Sequence, residues 1–126
     1  MDQIRQETDI LSLHIPLTEE TRSMVDSHYL KLFNKRIILI NTSRGEIVPF
    51  AAIAEGFASD KIRGAVLDVL ENEKLSTLSP SQAQYFKHLA SRTDVIFTPH
   101  IAGWTFESHI KINVALTDKI KALKLT

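Results

Sequence analysis

The chain has 126 residues, 44% of them hydrophobic and 24% charged, a balance that fits one globular domain and excludes a fibrous or disordered chain. Fifteen Lys and Arg offset fifteen Asp and Glu, so no basic excess is present to engage nucleic acid or an anionic membrane. Cysteine is absent, which excludes a disulfide scaffold, a thiolate nucleophile and any Cys-ligated metal, and matches a reducing compartment.

Four short apolar segments alternate with helical patterns. The first is Asp9–His14, followed by a helix expected to open at Thr18-Glu19-Glu20-Thr21, with a cap residue and early acids. Met24, Tyr29, Leu32 and Phe33 supply its apolar contacts. The second segment is Arg36–Asn41, with a helix expected from about Glu46 to Phe57. The third is Gly64–Val69, and Ser79-Pro80 then opens a helix running through Tyr85, Phe86 and Leu89. The fourth is Asp94–Thr98. A last helix is expected from Thr105 to Leu123, with Ile110, Val114, Leu116, Ile120 and Leu123 as its apolar stripe.

The strand segments are aliphatic without clean alternation, which predicts parallel strands covered on both faces. Four β-then-α units in series predict an α/β fold: an open parallel sheet with flanking helices and right-handed crossovers. No apolar run approaches the ~20 residues of a membrane span, and Met1–Glu7 lacks the basic and apolar blocks of a signal peptide, so a cytoplasmic location is expected. No pair of histidines has the local spacing of metal ligands, and no metal is expected.

Ligands of such sheets bind beyond the carboxyl ends of the strands. There the sequence places His14-Ile15-Pro16, then Thr42-Ser43-Arg44-Gly45, then Asp68 with Glu71-Asn72-Glu73, then Pro99-His100-Ile101-Ala102-Gly103. Arg44 is suited to grip a carboxylate with two parallel hydrogen bonds. His100 can exchange a proton near neutral pH, with a carboxylate to orient its imidazole. Glu71 and Glu73 compete for that second role. Taken singly, Arg44 reads as a surface arginine, Glu73 as a solvated acid and His100 as a loop histidine. Asp68 resists such a reading, because an acid inside an apolar strand is costly unless paired. His28, His88 and His109 fall within helices and receive no role.

At these residues the chain resembles the D-isomer-specific 2-hydroxyacid dehydrogenases. The similarity rests on Leu13–Arg22, on Ile40–Val48 with its arginine, on Ala65–Val69 followed by Glu73, and on Thr98–Gly103 with its histidine. The resemblance implies that Arg44 binds the carboxylate and carbonyl oxygen of a 2-oxo acid. It implies that His100 is the acid–base residue and Glu73 its partner. Asp68 would face the nicotinamide end of NAD, and His14, Pro16, Thr42, Ser43, Ala102 and Gly103 would line the cofactor groove. These residues do not separate NAD from NADP, nor D-3-phosphoglycerate dehydrogenase from enzymes of other small 2-hydroxy acids.

Three departures from the family pattern stand out. Pro49 replaces an acidic residue ahead of a helix, and Lys74 follows Glu73 where many members have proline. The third is that Gly45, Gly56, Gly64 and Gly103 are too scattered to make the G-x-G-x-x-G turn that holds a pyrophosphate. Residues 1–126 therefore read as a single partial NAD-binding domain, without its glycine-loop half or substrate domain. The expectation is weak cofactor binding and negligible turnover by this chain alone. A non-catalytic, self-associating fragment is the alternative. Asp9–His14 would then be an exposed sheet edge, and a homodimer or higher assembly is expected.

Overall fold

The computed structural model describes residues 2–123. Five helices and four strands alternate: α1 (Asp2–Glu7), β1 (Ile10–Leu13), α2 (Ser27–Lys31), β2 (Ile37–Asn41), α3 (Phe50–Ala58), β3 (Ile62–Leu67), α4 (Pro80–Ala90), β4 (Val95–Phe97) and α5 (Phe106–Ala122). The strands form one parallel sheet in the order β1-β2-β3-β4. The expected α/β architecture is present.

Successive strands step the same way along the sheet, and with the right-handed crossovers that parallel strands adopt as a rule, the linking helices fall on one face. That face is the core. Leu13, Leu39, Ala65, Leu67 and Val95 point into it from the strands, against Leu30, Phe33, Phe50, Ile53 and Leu89 from the helices. Phe86 joins Phe50 to Phe97, with ring centroids 5.7 and 5.6 Å apart.

The expectation of strands covered on both faces is corrected. Along β2, Ile37, Leu39 and Asn41 are buried while Ile38 and Ile40 are only half-buried. On that second face Ile10 and Ile96 are more than half exposed. Ile38, Gly64, Val66 and Ile96 line an open hollow of about 420 Å³ there. One-directional winding is the physical reason: no helix among the described residues returns across this face.

Two helix starts are also corrected. Thr18–Ser23 is a run of turns rather than a helix. The Thr18 and Thr21 hydroxyls bond to each other and to nearby backbone, drawing the chain away from helical pairing. The helix begins later, capped by Asp26, whose carboxylate accepts the Tyr29 N–H at 2.7 Å. Between Glu46 and Phe57 a 3₁₀ turn, Gly45–Ile47, comes first, and Pro49 then stands as the N-cap of α3.

The last two helices start as expected. Ser79 and Gln82 form a capping box at α4, and Thr105 and Ser108 form one at α5. The apolar stripe of α5 is nevertheless exposed, and the helix buries no residue. β1 lies at the sheet edge, as expected. α1 had no counterpart in the sequence reading; its six residues are too few to show a helical period.

Candidate active site

Parallel pairing brings the carboxyl ends of all four strands to one edge, and each strand-end loop is fixed there by named contacts. After β2, the buried Asn41 side chain folds the chain back on itself. Its Nδ2 donates to the Arg44 carbonyl at 3.0 Å, and its Oδ1 accepts from the Ser43 N–H and hydroxyl at 3.1 and 2.9 Å. Arg44 is thereby presented at the surface, its Nη1 donating to the Ser43 carbonyl at 2.7 Å.

Gly45 seats this loop on the next one. A Cβ there would stand 1.9 Å from the carbonyl carbon and oxygen of Leu70 and 2.4 Å from the Glu71 nitrogen. Only glycine permits that backbone approach.

The loop after β3 separates the two rival acids. Glu71 accepts the Phe50 N–H at 2.7 Å and the Gln82 side-chain amide at 2.9 Å. It thus supplies, from a distant loop, the N-terminal acceptor that Pro49 cannot offer α3. Glu73 instead meets His100, with Oε1 2.7 Å from Nδ1. Both partners are about half exposed, so water screens their attraction and its main effect is orientation. Nδ1 is thereby engaged and Nε2 is left for a ligand.

The loop after β4 is latched by Asp68, which is buried at 3% exposure. Its Oδ1 accepts from the Thr98 hydroxyl at 2.5 Å and the Ile101 N–H at 2.9 Å, and its Oδ2 from the Ala102 N–H at 3.0 Å. Burial works against its charge. The hydrogen bonds from Thr98, Ala102 and Ile101, with the nearby His100 charge, outweigh that and hold the carboxyl below its usual range. The segment it grips contains His100 in the left-handed region, at φ 55°. Such a conformation persists in a non-glycine residue only where its surroundings impose it.

Arg44, Glu73 and His100 line one cavity of about 570 Å³. The sequence reading brought these three together, and the structure does the same. A second cavity of about 490 Å³ adjoins it at Arg44, lined by His14, Pro16, Thr42 and Ser43 among others. Four of the residues expected in the cofactor groove therefore share one hollow. Its apolar wall (Ile15, Pro16, Leu17) and two hydroxyls suit a flat, weakly polar ring. Ala102 and Gly103 lie exposed in the turn after His100. Asp68 sits beneath that turn with both oxygens committed to it.

Sequence reasoning gave no role to Asn41 or Gly45, and weighed Glu71 only as a rival to Glu73 for His100 rather than as the acceptor at the start of α3. A polar residue ending an aliphatic strand, two before a serine, is the signal that would have found Asn41. Among the described residues no cluster of His, Asp and Glu could hold a metal, and no helix is long and apolar enough to cross a membrane.

A singly covered parallel α/β sheet with an arginine and a carboxylate-bound histidine at its carboxyl edge defines a ligand-binding domain of the nucleotide-binding type. The family is narrower. Residues 1–102 match the D-isomer specific 2-hydroxyacid dehydrogenase, NAD binding domain, and the chain belongs to that family. It is 36% identical over 122 residues to a glyoxylate reductase of Aeropyrum pernix, covering 97% of this chain and 34% of that protein. It is 37% identical over 116 residues to a (S)-sulfolactate dehydrogenase of Chromohalobacter salexigens, covering 92% and 35%. The D-lactate dehydrogenase of Aquifex aeolicus, solved with NAD and lactic acid, superposes with a TM-score of 0.77 at 32% identity, covering 97% of this chain and 39% of that one. The chain thus spans about a third of the length of the curated relatives it matches.

Proposed function

We propose that this chain forms the acid–base half of an NAD-dependent oxidoreductase that interconverts a D-2-hydroxy acid and a 2-oxo acid. The Glu73–His100 pair beside Arg44 at the carboxyl edge of the sheet carries this reading. Arg44 holds the substrate carboxylate and polarises the adjacent carbonyl. His100, with Nδ1 tied to Glu73, gives the proton from Nε2 to the carbonyl oxygen in reduction and takes it back in oxidation. A nicotinamide cofactor, when bound, supplies or accepts the hydride. His14, Pro16, Thr42 and Ser43 would hold its nicotinamide end, with Ala102 and Gly103 at the mouth of the groove. Asp68 would act through the His100 loop.

The sequence has no G-x-G-x-x-G turn, so the diphosphate lacks the backbone donors that dominate cofactor affinity in this fold. Weak NAD binding and negligible turnover by residues 1–126 alone follow, and the chain reads as one partial NAD-binding domain. Its named relatives act on several small acids, and they do not single out phosphoglycerate.

The test is a titration of the isotope-labelled chain with NADH and oxamate, an unreactive 2-oxo acid mimic, followed by amide NMR. Shifts at Arg44, Thr42, Ser43 and His100 that vanish for oxamate in Arg44→Gln are expected. Shifts confined to the opposite sheet edge would refute the assignment.

A second reading, a non-catalytic self-associating piece, draws on the open face of the sheet and the unpaired edge of β1, where Ile10 is 56% exposed.

A further inference from the structure

Of the two acids in the loop after β3, the one that does not meet His100 is the better buried. Glu71 is half-buried and Glu73 exposed. Glu71 Oε2 accepts the Phe50 N–H at 2.7 Å, and its Oε1 accepts the Gln82 side-chain amide at 2.9 Å. Both partners stand in the first turn of a helix: Phe50 opens α3, and Gln82 is the capping-box residue of α4. Gln82 has no freedom to turn away, because its Oε1 accepts the Ser79 N–H at 3.1 Å and its Nε2 is left to face Glu71. An ordinary helix start draws an acceptor from its own N-cap, but Pro49 holds that place in α3 and makes no side-chain cap bond. One carboxylate therefore ties the starts of two helices to the loop after β3, where the positive ends of both helix dipoles favour its charge.

What that tie holds is Glu73. The side-chain bonds of Asn72 and Thr77 are local: Asn72 Oδ1 accepts the Lys74 N–H at 3.0 Å, its Nδ2 donates to the Thr77 hydroxyl at 3.0 Å, and that hydroxyl donates to the Lys74 carbonyl at 2.9 Å. They close a turn around Glu73 without joining it to the helices. Glu71 supplies that join, next to the close seat of Gly45 on Leu70. Each partner of the 2.7 Å Glu73–His100 contact is thus carried by a turn that a neighbouring carboxylate anchors, His100 by Asp68 and Glu73 by Glu71. A half-exposed pair has little attraction of its own to keep it together, so its geometry rests on these anchors.

We propose that Glu71 is a positioning residue for the acid–base pair: by giving α3 the acceptor that Pro49 cannot, and by binding Gln82 at the start of α4, it fixes the turn on which Glu73 meets His100. This rests on the proposed function, which assigns proton transfer to His100 with Glu73 as its partner. The Glu71 carboxylate is committed to the two helix starts and takes no part in the proton transfer itself.

The experiment labels the full chain with nitrogen-15 at histidine and follows the His100 ring at ~pH 8.5, above the ordinary histidine pKa of about 6.5. Which ring nitrogen carries the proton is set by the hydrogen bond the other makes, so the Nδ1 shift reports the Glu73 contact. Glu73→Ala sets the scale for a lost contact. Glu71→Ala should carry the Nδ1 shift more than halfway from wild type to Glu73→Ala. Pro49→Asp/Glu71→Ala returns a local cap to α3, which keeps that helix start folded, and should show the same loss. A wild-type shift in this double variant would reduce Glu71 to a helix cap and overturn the positioning role, as would a wild-type shift in Glu71→Ala. The Glu73→Ala protein separates the two readings. If it moves the His100 shift while Glu71→Ala does not, the acid–base pair stands and the positioning role falls. If Glu73→Ala leaves the shift at its wild-type value, the pair itself fails, and the proposed function falls together with the role of Glu71.

Discussion

Replacing Asp68 by asparagine removes one acceptor from a fully committed carboxylate while keeping its volume. The new side chain can keep its amide oxygen toward Thr98 and Ile101, but its amide nitrogen then faces the Ala102 N–H, donor against donor; the flipped amide keeps Ala102 and lets the Thr98 hydroxyl accept, but sets its nitrogen against the Ile101 N–H. Losing a charge-assisted hydrogen bond inside the protein costs about 2–3 kcal/mol. That is a large share of the ~5–15 kcal/mol that stabilises an ordinary domain. The pH dependence has a definite sign. The folded-state carboxyl sits below its usual range, so its contribution is complete above the unfolded pKa of about 3.9. It is lost as pH falls from there through the folded value. Urea unfolding followed by circular dichroism should therefore show a wide wild-type-to-variant gap at pH 7 that narrows below about pH 4. Hydrogen exchange at the Ile101 and Ala102 amides should accelerate in the variant at pH 7. A gap under about 0.5 kcal/mol at pH 7, or unchanged protection of both amides, would refute the latch.

Gly45→Ala should destabilise by about 1–3 kcal/mol, since its Cβ would overlap the Leu70 backbone and that backbone must move; unfolding curves that superpose on the wild type would contradict the close approach. Ser79→Ala breaks the capping box of α4 and should cost about 1 kcal/mol in the same assay. A change within error would place the stability of α4 wholly in its packing. Light scattering at ~100 µM, well above micromolar dissociation constants, should show a dimer or larger species through the β1 edge or the open sheet face; a clean monomer would remove the self-association reading.

The alternation of strands and helices was legible because each strand is a dense aliphatic run and each later helix announces its start. Ser79-Pro80 and Thr105 are cap residues whose partners lie three positions on, so local sequence sufficed. Thr18–Ser23 misled for the same reason. Its threonine and acids suit a helix start, but the hydroxyls found closer partners and Ser23 turned left-handed. The candidate residues Arg44, Glu73 and His100 were visible because they follow strand ends. The contacts that position them were not, since Gly45 on Leu70, Glu71 on Phe50 and Asp68 on Ala102 join residues 21 to 34 positions apart, or loops that meet only after the sheet forms.

Those contacts form a chain across the sheet edge. Asn41 shapes the loop that carries Arg44, and Gly45 lays that loop on Leu70 and Glu71. Glu73, two residues on, meets His100. Asp68, at the end of the same strand, grips the backbone on the far side of His100. Every link is a backbone approach or a hydrogen bond to backbone, except the Glu73–His100 pair itself, which is half exposed. Arg44, Glu73 and His100 are therefore placed by the loops that follow β2, β3 and β4. Preorganisation of this kind lowers the cost of reaching a reactive geometry without adding affinity for the cofactor. The strand-end geometry of this chain resides in residues 41–102.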